Sequence, residues 1–356
     1  SLLAALLSLA VSSAAVTWPS LPEHDGEAAL PAQEWPQRPG PRTITAYLRY
    51  PGGALAQVTP ETGLMLVLHN WGGTAWRGAP DPAQLTARYN VIAIGVDYLQ
   101  SGPYDADNDP PYDFGYLQAV DALRALWWVY DELKGMNKPF DRGRIYATGG
   151  SGGGNVALMA NKFAPRTFAC IVDLCGMAKL SDDIAFGLPG GSRLNAGYRR
   201  DGDASRALPV HAQEIRFVGF PAHLDQMRVL GNTAHVITVH GVEDDASPVD
   251  DKREMVANMQ AAGLRVAGHF ITPDDLDGGT LRNAGHALGD RTHILFRFAD
   301  PHLTPNAPHA ARRSAPNDFE YRDDAVVYTV TGGRYVVSYR TGYPTVRYET
   351  GESSLL

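Results

Sequence analysis

Cysteine is nearly absent from this chain: two in 356 residues, Cys170 and Cys175. Both fall in the apolar run 168–175, which reads as one buried strand. Five positions apart on a strand, their side chains point to opposite faces and lie more than ~15 Å apart, which argues against a disulfide. They read as core residues. Basic residues are also scarce. Lys and Arg total 31 against 39 Asp and Glu, giving a net charge of −8, and the basic residues form no cluster larger than a pair such as Arg312–Arg313. That excludes a nucleic-acid partner, because phosphate binding needs grouped cations. Long apolar runs are missing too. Leu2–Val11 is too short to span a bilayer, so no stable membrane insertion is expected. There is no internal repeat and no metal-ligand spacing. With 44% apolar and 20% charged residues, the composition is that of a soluble globular protein.

The short apolar run is followed by Ser12-Ser13-Ala14-Ala15. Together, residues 1–16 resemble the apolar core and small-residue cleavage site of a secretory signal, which predicts a secreted or periplasmic protein. Residues 17–42 hold six prolines and little apolar period, and read as an extended lead-in. From there the texture alternates. Strands are expected at 43–49, 63–68, 90–96, 144–147, 168–174, 234–239 and 264–271. Helices are expected at 116–133, 156–163 and 249–262. The 63–68 run, Gly-Leu-Met-Leu-Val-Leu, is apolar throughout, as a parallel strand buried on both faces should be. This alternation predicts a doubly wound, mostly parallel α/β sheet over 43–300. Residues 176–233 break it and read as a lid-like insertion over the sheet. After 301, two alternating runs flank Thr331-Gly332-Gly333, a hairpin signal, and the 301–356 segment reads as a small β extension.

The chemistry concentrates at Tyr146-Ala147-Thr148-Gly149-Gly150-Ser151-Gly152-Gly153-Gly154-Asn155-Val156. A strand, a glycine-dense turn carrying one serine and a helix follow one another. This is the G-x-S-x-G arrangement, in which a sharp turn lifts the hydroxyl out of the backbone. A serine hydroxyl needs a positioned base, usually a histidine oriented by a carboxylate. Two later segments supply them. His240-Gly241-Val242-Glu243-Asp244-Asp245 resembles the acid loop of α/β-hydrolases, in which the aspartate lies four residues after the histidine of a His-Gly pair; the resemblance implies Asp244, with Asp245 as fallback and Glu243 less favoured. Asn283-Ala284-Gly285-His286 follows the last strand, sits in a loop and precedes a helical run. His286 is therefore preferred over His223, His235, His240, His269 and His293. Finally, His69-Asn70-Trp71-Gly72-Gly73 ends the 63–68 strand, where backbone N–H groups face developing negative charge in acyl transfer.

These four motifs, in this order, resemble the α/β-hydrolase superfamily. The elbow is similar to that of hormone-sensitive-lipase-type esterases and the acid loop to that of prolyl-oligopeptidase-type enzymes. The resemblance implies an α/β-hydrolase fold, a nucleophile at Ser151, a base at His286, an acid at Asp244, and oxyanion N–H donors at Trp71 and Gly152. Asn70 departs from the family's His-Gly-x pattern, standing where glycine is usual. The expected activity is cleavage of a small or polymeric carboxylic ester through an acyl-enzyme, with no cofactor or metal. A peptidase or amidase with the same residues, and a non-catalytic binding protein on the same scaffold, are the alternatives. Prolyl-oligopeptidase families carry a β-propeller for which there is no room before residue 43, which favours the ester. Trp71, Trp76, Tyr98, Tyr112 and Phe114 fall on loops suited to line the substrate pocket, with Trp76 and Tyr98 as substrate contacts. Oligomeric state is not specified by any of these patterns.

Overall fold

A computed structural model describes residues 17–351. The signal-like segment therefore lies outside the described residues. Eight strands form one sheet: β1 (Gly26–Ala32), β2 (Arg42–Arg49), β3 (Gly63–Leu68), β4 (Val91–Asp97), β5 (Ile145–Gly150), β6 (Cys170–Leu174), β7 (His235–Gly241) and β8 (Val266–Ile271). Their spatial order is β1-β2-β4-β3-β5-β6-β7-β8. The six strands from β4 to β8 run parallel, and β1 and β2 are antiparallel additions at one edge. The chain leaves β3 towards β4 on one side and returns to β5 on the other, so the winding reverses at β3/β5. Ligand sites in such sheets form at the carboxyl ends of the strands flanking this reversal.

Each strand shows one set of side chains to each helix layer. Along β3, Leu64, Leu66 and Leu68 join one apolar cluster, whereas Met65 and Val67 join the other. The first layer holds α2 (Tyr116–Gly135), α3 (Gly152–Phe163) and α7 (Val249–Ala261); the second holds α1 (Pro82–Tyr89) and α8 (Arg291–Leu303). Helix starts are capped as the sequence allows. Asp81 accepts from the Ala83 N–H ahead of α1, and Asp290 accepts from Thr292 and His293 N–H ahead of α8.

The stretch 17–42, expected as an extended lead-in, contributes a strand to the sheet. Residues 26–32 form β1, paired with β2 so that Leu30, fully buried, faces Ile44. An edge strand tolerates Pro31 because it need not donate on its outer side, and its weak apolar period conceals it in the sequence. The cysteine geometry also differs from expectation. Cys175 lies one residue beyond β6 at φ +54°, and this turn brings it into the same apolar cluster as Cys170. Both thiols are free and buried.

The 176–233 segment carries the short α4 (Asp182–Phe186), α5 (Val210–Ile215) and α6 (Pro221–Val229). Its first part meets the 104–114 loop in a third apolar cluster that includes Tyr112, Phe114, Met177, Ile184 and Tyr198. Its second part supports a separate antiparallel sheet of β9 (Ala325–Val330), β10 (Gly333–Ser338) and β11 (Thr345–Thr350). This sheet covers helices rather than a strand edge. Its Tyr328 and Tyr339 hydroxyls donate to the carbonyls of Lys162 and Phe163 at the end of α3.

Candidate active site

The Ser151 hydroxyl owes its position to backbone crowding. Ser151 sits at φ +55°, ψ −120°, a conformation that costs a side-chain-bearing residue about 1–3 kcal/mol. The turn holds because its neighbours are glycines in contact with backbone. A methyl group on Gly149 would collide with Gly153, and one on Gly153 with the carbonyls of Leu68 and His69. The Ser151 N–H donates to Leu174 O at 2.8 Å, tying the turn to the end of β6.

His286 arrives from the loop between β8 and α8. Its Nε2 lies 2.7 Å from Ser151 Oγ, and its Nδ1 lies 2.9 and 2.8 Å from Asp244 Oδ1 and Oδ2. The Asp244 side chain is fully buried and that of His286 is 12% exposed. Asp244 Oδ1 also accepts from the N–H groups of Ala246 and Ser247, each at 2.8 Å. Burial pushes its carboxyl up, but the hydrogen bond and charge of His286, with His240 and the Ser247 N–H, outweigh this and hold it below the ordinary aspartate range. The fallback acids stand apart: Asp245 is exposed and pairs with Arg193, and Glu243 is exposed.

His240 takes a supporting position. Its Nε2 is 2.8 Å from Ser247 O, and because a carbonyl only accepts, that nitrogen carries the proton. The same N–H lies 3.4 Å from Asp244 Oδ2. Burial, then the neighbouring Lys252 charge, pull the His240 pKa down to about 4, so the ring is neutral at pH 7.

The 69–73 loop closes on the elbow from the other side. A methyl group on Gly152 would stand 2.6 Å from the Trp71 nitrogen, so the two backbones are in contact. Among the described residues, neither the Trp71 nor the Gly152 N–H has a protein acceptor. Gly152 is the first residue of α3, where N–H groups are free of intrahelical bonds. Asn70 is not left-handed; the positive φ in this loop falls on Gly72 and Ala75 instead. Asn70 accepts at its carbonyl from the Gly73 N–H, 2.9 Å away, and His69 Nδ1 lies 2.8 Å from the same oxygen.

The aromatic contacts divide. Trp71, half-buried, stacks on buried Tyr112 with centroids 3.7 Å apart and planes within 5°, and Phe114 meets it edge-on at 6.3 Å. Tyr98 is corrected as a substrate contact, and Trp76, half-buried, also packs inward. Tyr98 is buried, stacks on His69 at 4.0 Å and donates its hydroxyl to His69 O. The Trp76 ring fills the space left by Gly95 in β4 and faces Tyr47. Both brace the loop instead, because the sheet under it offers a glycine slot and an unpaired carbonyl.

Two site neighbours carry no local sequence signal. Arg291, near-buried at the start of α8, donates to Gly78 O and, at 3.5 Å, to His286 O, so it joins the two loops flanking the elbow. Cys175 holds the acid loop through its carbonyl, which accepts from Ser247 Oγ at 3.0 Å. Both are found only once strands remote in sequence are set side by side.

Residues 128–300, which include Ser151, Asp244 and His286, match the model of the prolyl oligopeptidase family. No curated protein matches the chain. Among solved structures, it is similar to an acylaminoacyl peptidase of Pyrococcus horikoshii, with a TM-score of 0.52 and 14% identity over 80% of this chain and 42% of that one. It is also similar to a puromycin hydrolase, with a TM-score of 0.51 and 16% identity over 84% of this chain and 42% of that one. The chain thus spans about two fifths of the length of these structures.

Proposed function

We propose that this chain, a serine hydrolase of the α/β-hydrolase superfamily, cleaves carboxylic esters, with Ser151 as nucleophile. One distance carries the proposal: His286 Nε2 at 2.7 Å from Ser151 Oγ. In the reaction Ser151 Oγ attacks the acyl carbon and its proton passes to His286 Nε2. Asp244, held ionised by burial-resistant hydrogen bonding, keeps the other imidazole proton on Nδ1 and stabilises the cation. The carbonyl oxygen, now negative, accepts from the Trp71 and Gly152 N–H groups, a type of contact worth roughly 3–4 kcal/mol per donor. Collapse expels the alcohol, which takes the proton from Nε2. Water repeats the sequence on the acyl-enzyme and frees the acid. The exposed part of Trp71, stiffened by its stack on Tyr112, supports an apolar or aryl group next to the oxyanion donors. The signal-like segment at 1–16 supports action outside the cytoplasm.

A peptidase or amidase reading draws support from the family match over 128–300. It uses the same residues and differs only in the leaving group, an amine that His286 must protonate before it departs. Labelling with a fluorophosphonate probe tests the nucleophile: the parent reacts and Ser151→Ala does not. An unlabelled parent defeats the proposal and favours a binding role. Hydrolysis of p-nitrophenyl acyl esters in preference to aminoacyl anilides supports the ester; the reverse preference replaces it with the amide.

A further inference from the structure

Cys175 is the unused residue of this site. It follows β6 directly, between the elbow on β5 and the acid loop on β7, and adopts φ +54° without being glycine. Its backbone is fixed on both sides: its N–H donates to Val239 O at 2.9 Å and its carbonyl accepts from Ser247 Oγ. Its thiol is buried, with the Gly241 N–H beside the sulfur. Yet the sulfur, a carboxylate oxygen of Asp244 and a ring nitrogen of His286 all lie within 4.8 Å of one another.

We infer that Cys175, Asp244 and His286 form a capture site for a thiophilic divalent cation such as Zn2+ or Cd2+, and that its occupation switches hydrolysis off. One thiolate, one imidazole and one carboxylate make a donor set typical of zinc. Tetrahedral coordination at about 2.3 Å to sulfur and about 2.0 Å to nitrogen and oxygen places ligand atoms roughly 3.5 Å apart. A contraction of about 1 Å from the 4.8 Å upper separation therefore suffices. The ion enters over His286, the member of the three with an exposed side-chain surface. On binding, Cys175 releases its thiol proton to solvent, the Nδ1 proton of His286 is exchanged through solvent so that the neutral ring carries its proton on Nε2, and the metal takes Nδ1 and the Asp244 oxygen that otherwise bond each other. Nothing is oxidised or reduced. His286 is then unable to accept the Ser151 proton while Asp244 stabilises it, so inhibition follows from the hydrolase reading above, on which this consequence rests.

The site is tested by titrating the purified chain with Cd2+ and following thiolate-to-metal charge-transfer absorption alongside p-nitrophenyl ester hydrolysis. The expected result is one ion bound per chain, an absorption band that rises as activity falls, and recovery of activity with a chelator. Cys175→Ser and Cys175→Ala are expected to hydrolyse normally without metal, to lack the band, and to need at least tenfold more Cd2+ for the same inhibition. No band in the parent overturns the proposal. So does a band that persists in the Cys175 variants, which would place the ion at Cys170, or equal inhibition of parent and variants. A parent with no hydrolysis in metal-free buffer counts against the hydrolase reading, while the absorption titration still decides whether the site exists.

Discussion

His286 Nδ1 lies almost equidistant from the two carboxylate oxygens of Asp244, at 2.9 and 2.8 Å. The oxygens are not equivalent, however. Oδ1 also accepts from the Ala246 and Ser247 N–H groups, whereas Oδ2 faces His240. An asparagine in this place has only one acceptor, and the two backbone donors claim it. Its amide N–H then points at His286 Nδ1, which must present a lone pair, and the imidazole proton moves to Nε2 against Ser151. Asp244→Asn is therefore expected to fold normally and to lose about 10³–10⁴-fold in kcat on a p-nitrophenyl ester. A loss of less than tenfold would remove Asp244 from its proposed role.

A different histidine contributes to acid stability. His223 is buried and lies 2.9 Å from Thr329 O through Nε2, joining α6 to β9. Burial, then the neighbouring Lys162, lower its pKa to about 2. Above the unfolded value of about 6.5, neither state binds the proton and pH has no effect. Below it, the unfolded chain takes up a proton that the folded chain refuses, so stability falls with pH, by up to about 1.4 kcal/mol per unit. His223→Gln keeps a donor for Thr329 but does not titrate. Denaturant unfolding between pH 6.5 and 4 is expected to show a shallower decline in this variant than in the parent. Parallel curves would show that His223 is not the proton-linked group.

Much of this arrangement is legible in the sequence because it is locally encoded. The parallel strands announce themselves as uninterrupted apolar runs such as 63–68, and the elbow as a glycine cluster that only a crowded strand-to-helix turn requires. Asp244 and His286 each follow a strand in the order the superfamily uses. What escapes is whatever depends on a partner remote in sequence. β1 is recognisable only through its pairing with β2, since its prolines imitate a linker. Trp76 and Tyr98 sit on loops but are drawn inward by Gly95 and by His69 O. Cys175 reaches His286 and Asp244 because one left-handed residue turns the chain after β6, and nothing in its neighbours in sequence encodes that turn.

Gly152 offers the most selective test of the proposed oxyanion donors. A methyl group there would stand 2.6 Å from the Trp71 nitrogen and 3.2 Å from its Cβ. The first contact is too short to persist, so the 69–73 loop must retreat by several tenths of an ångström. The elbow itself is not crowded by this methyl group, because Gly149 and Gly153 remain. Ser151, His286 and Asp244 keep their hydrogen bonds, and the Trp71 N–H no longer converges with that of Gly152. Gly152→Ala is accordingly expected to bind ester with little change in KM while kcat falls about 10²–10³-fold, the cost of removing one such donor. Ser151 should still react with a fluorophosphonate, but more slowly, since the phosphoryl oxygen uses the same two N–H groups. Unchanged kcat in a folded Gly152→Ala protein would mean that the negative oxygen is stabilised elsewhere.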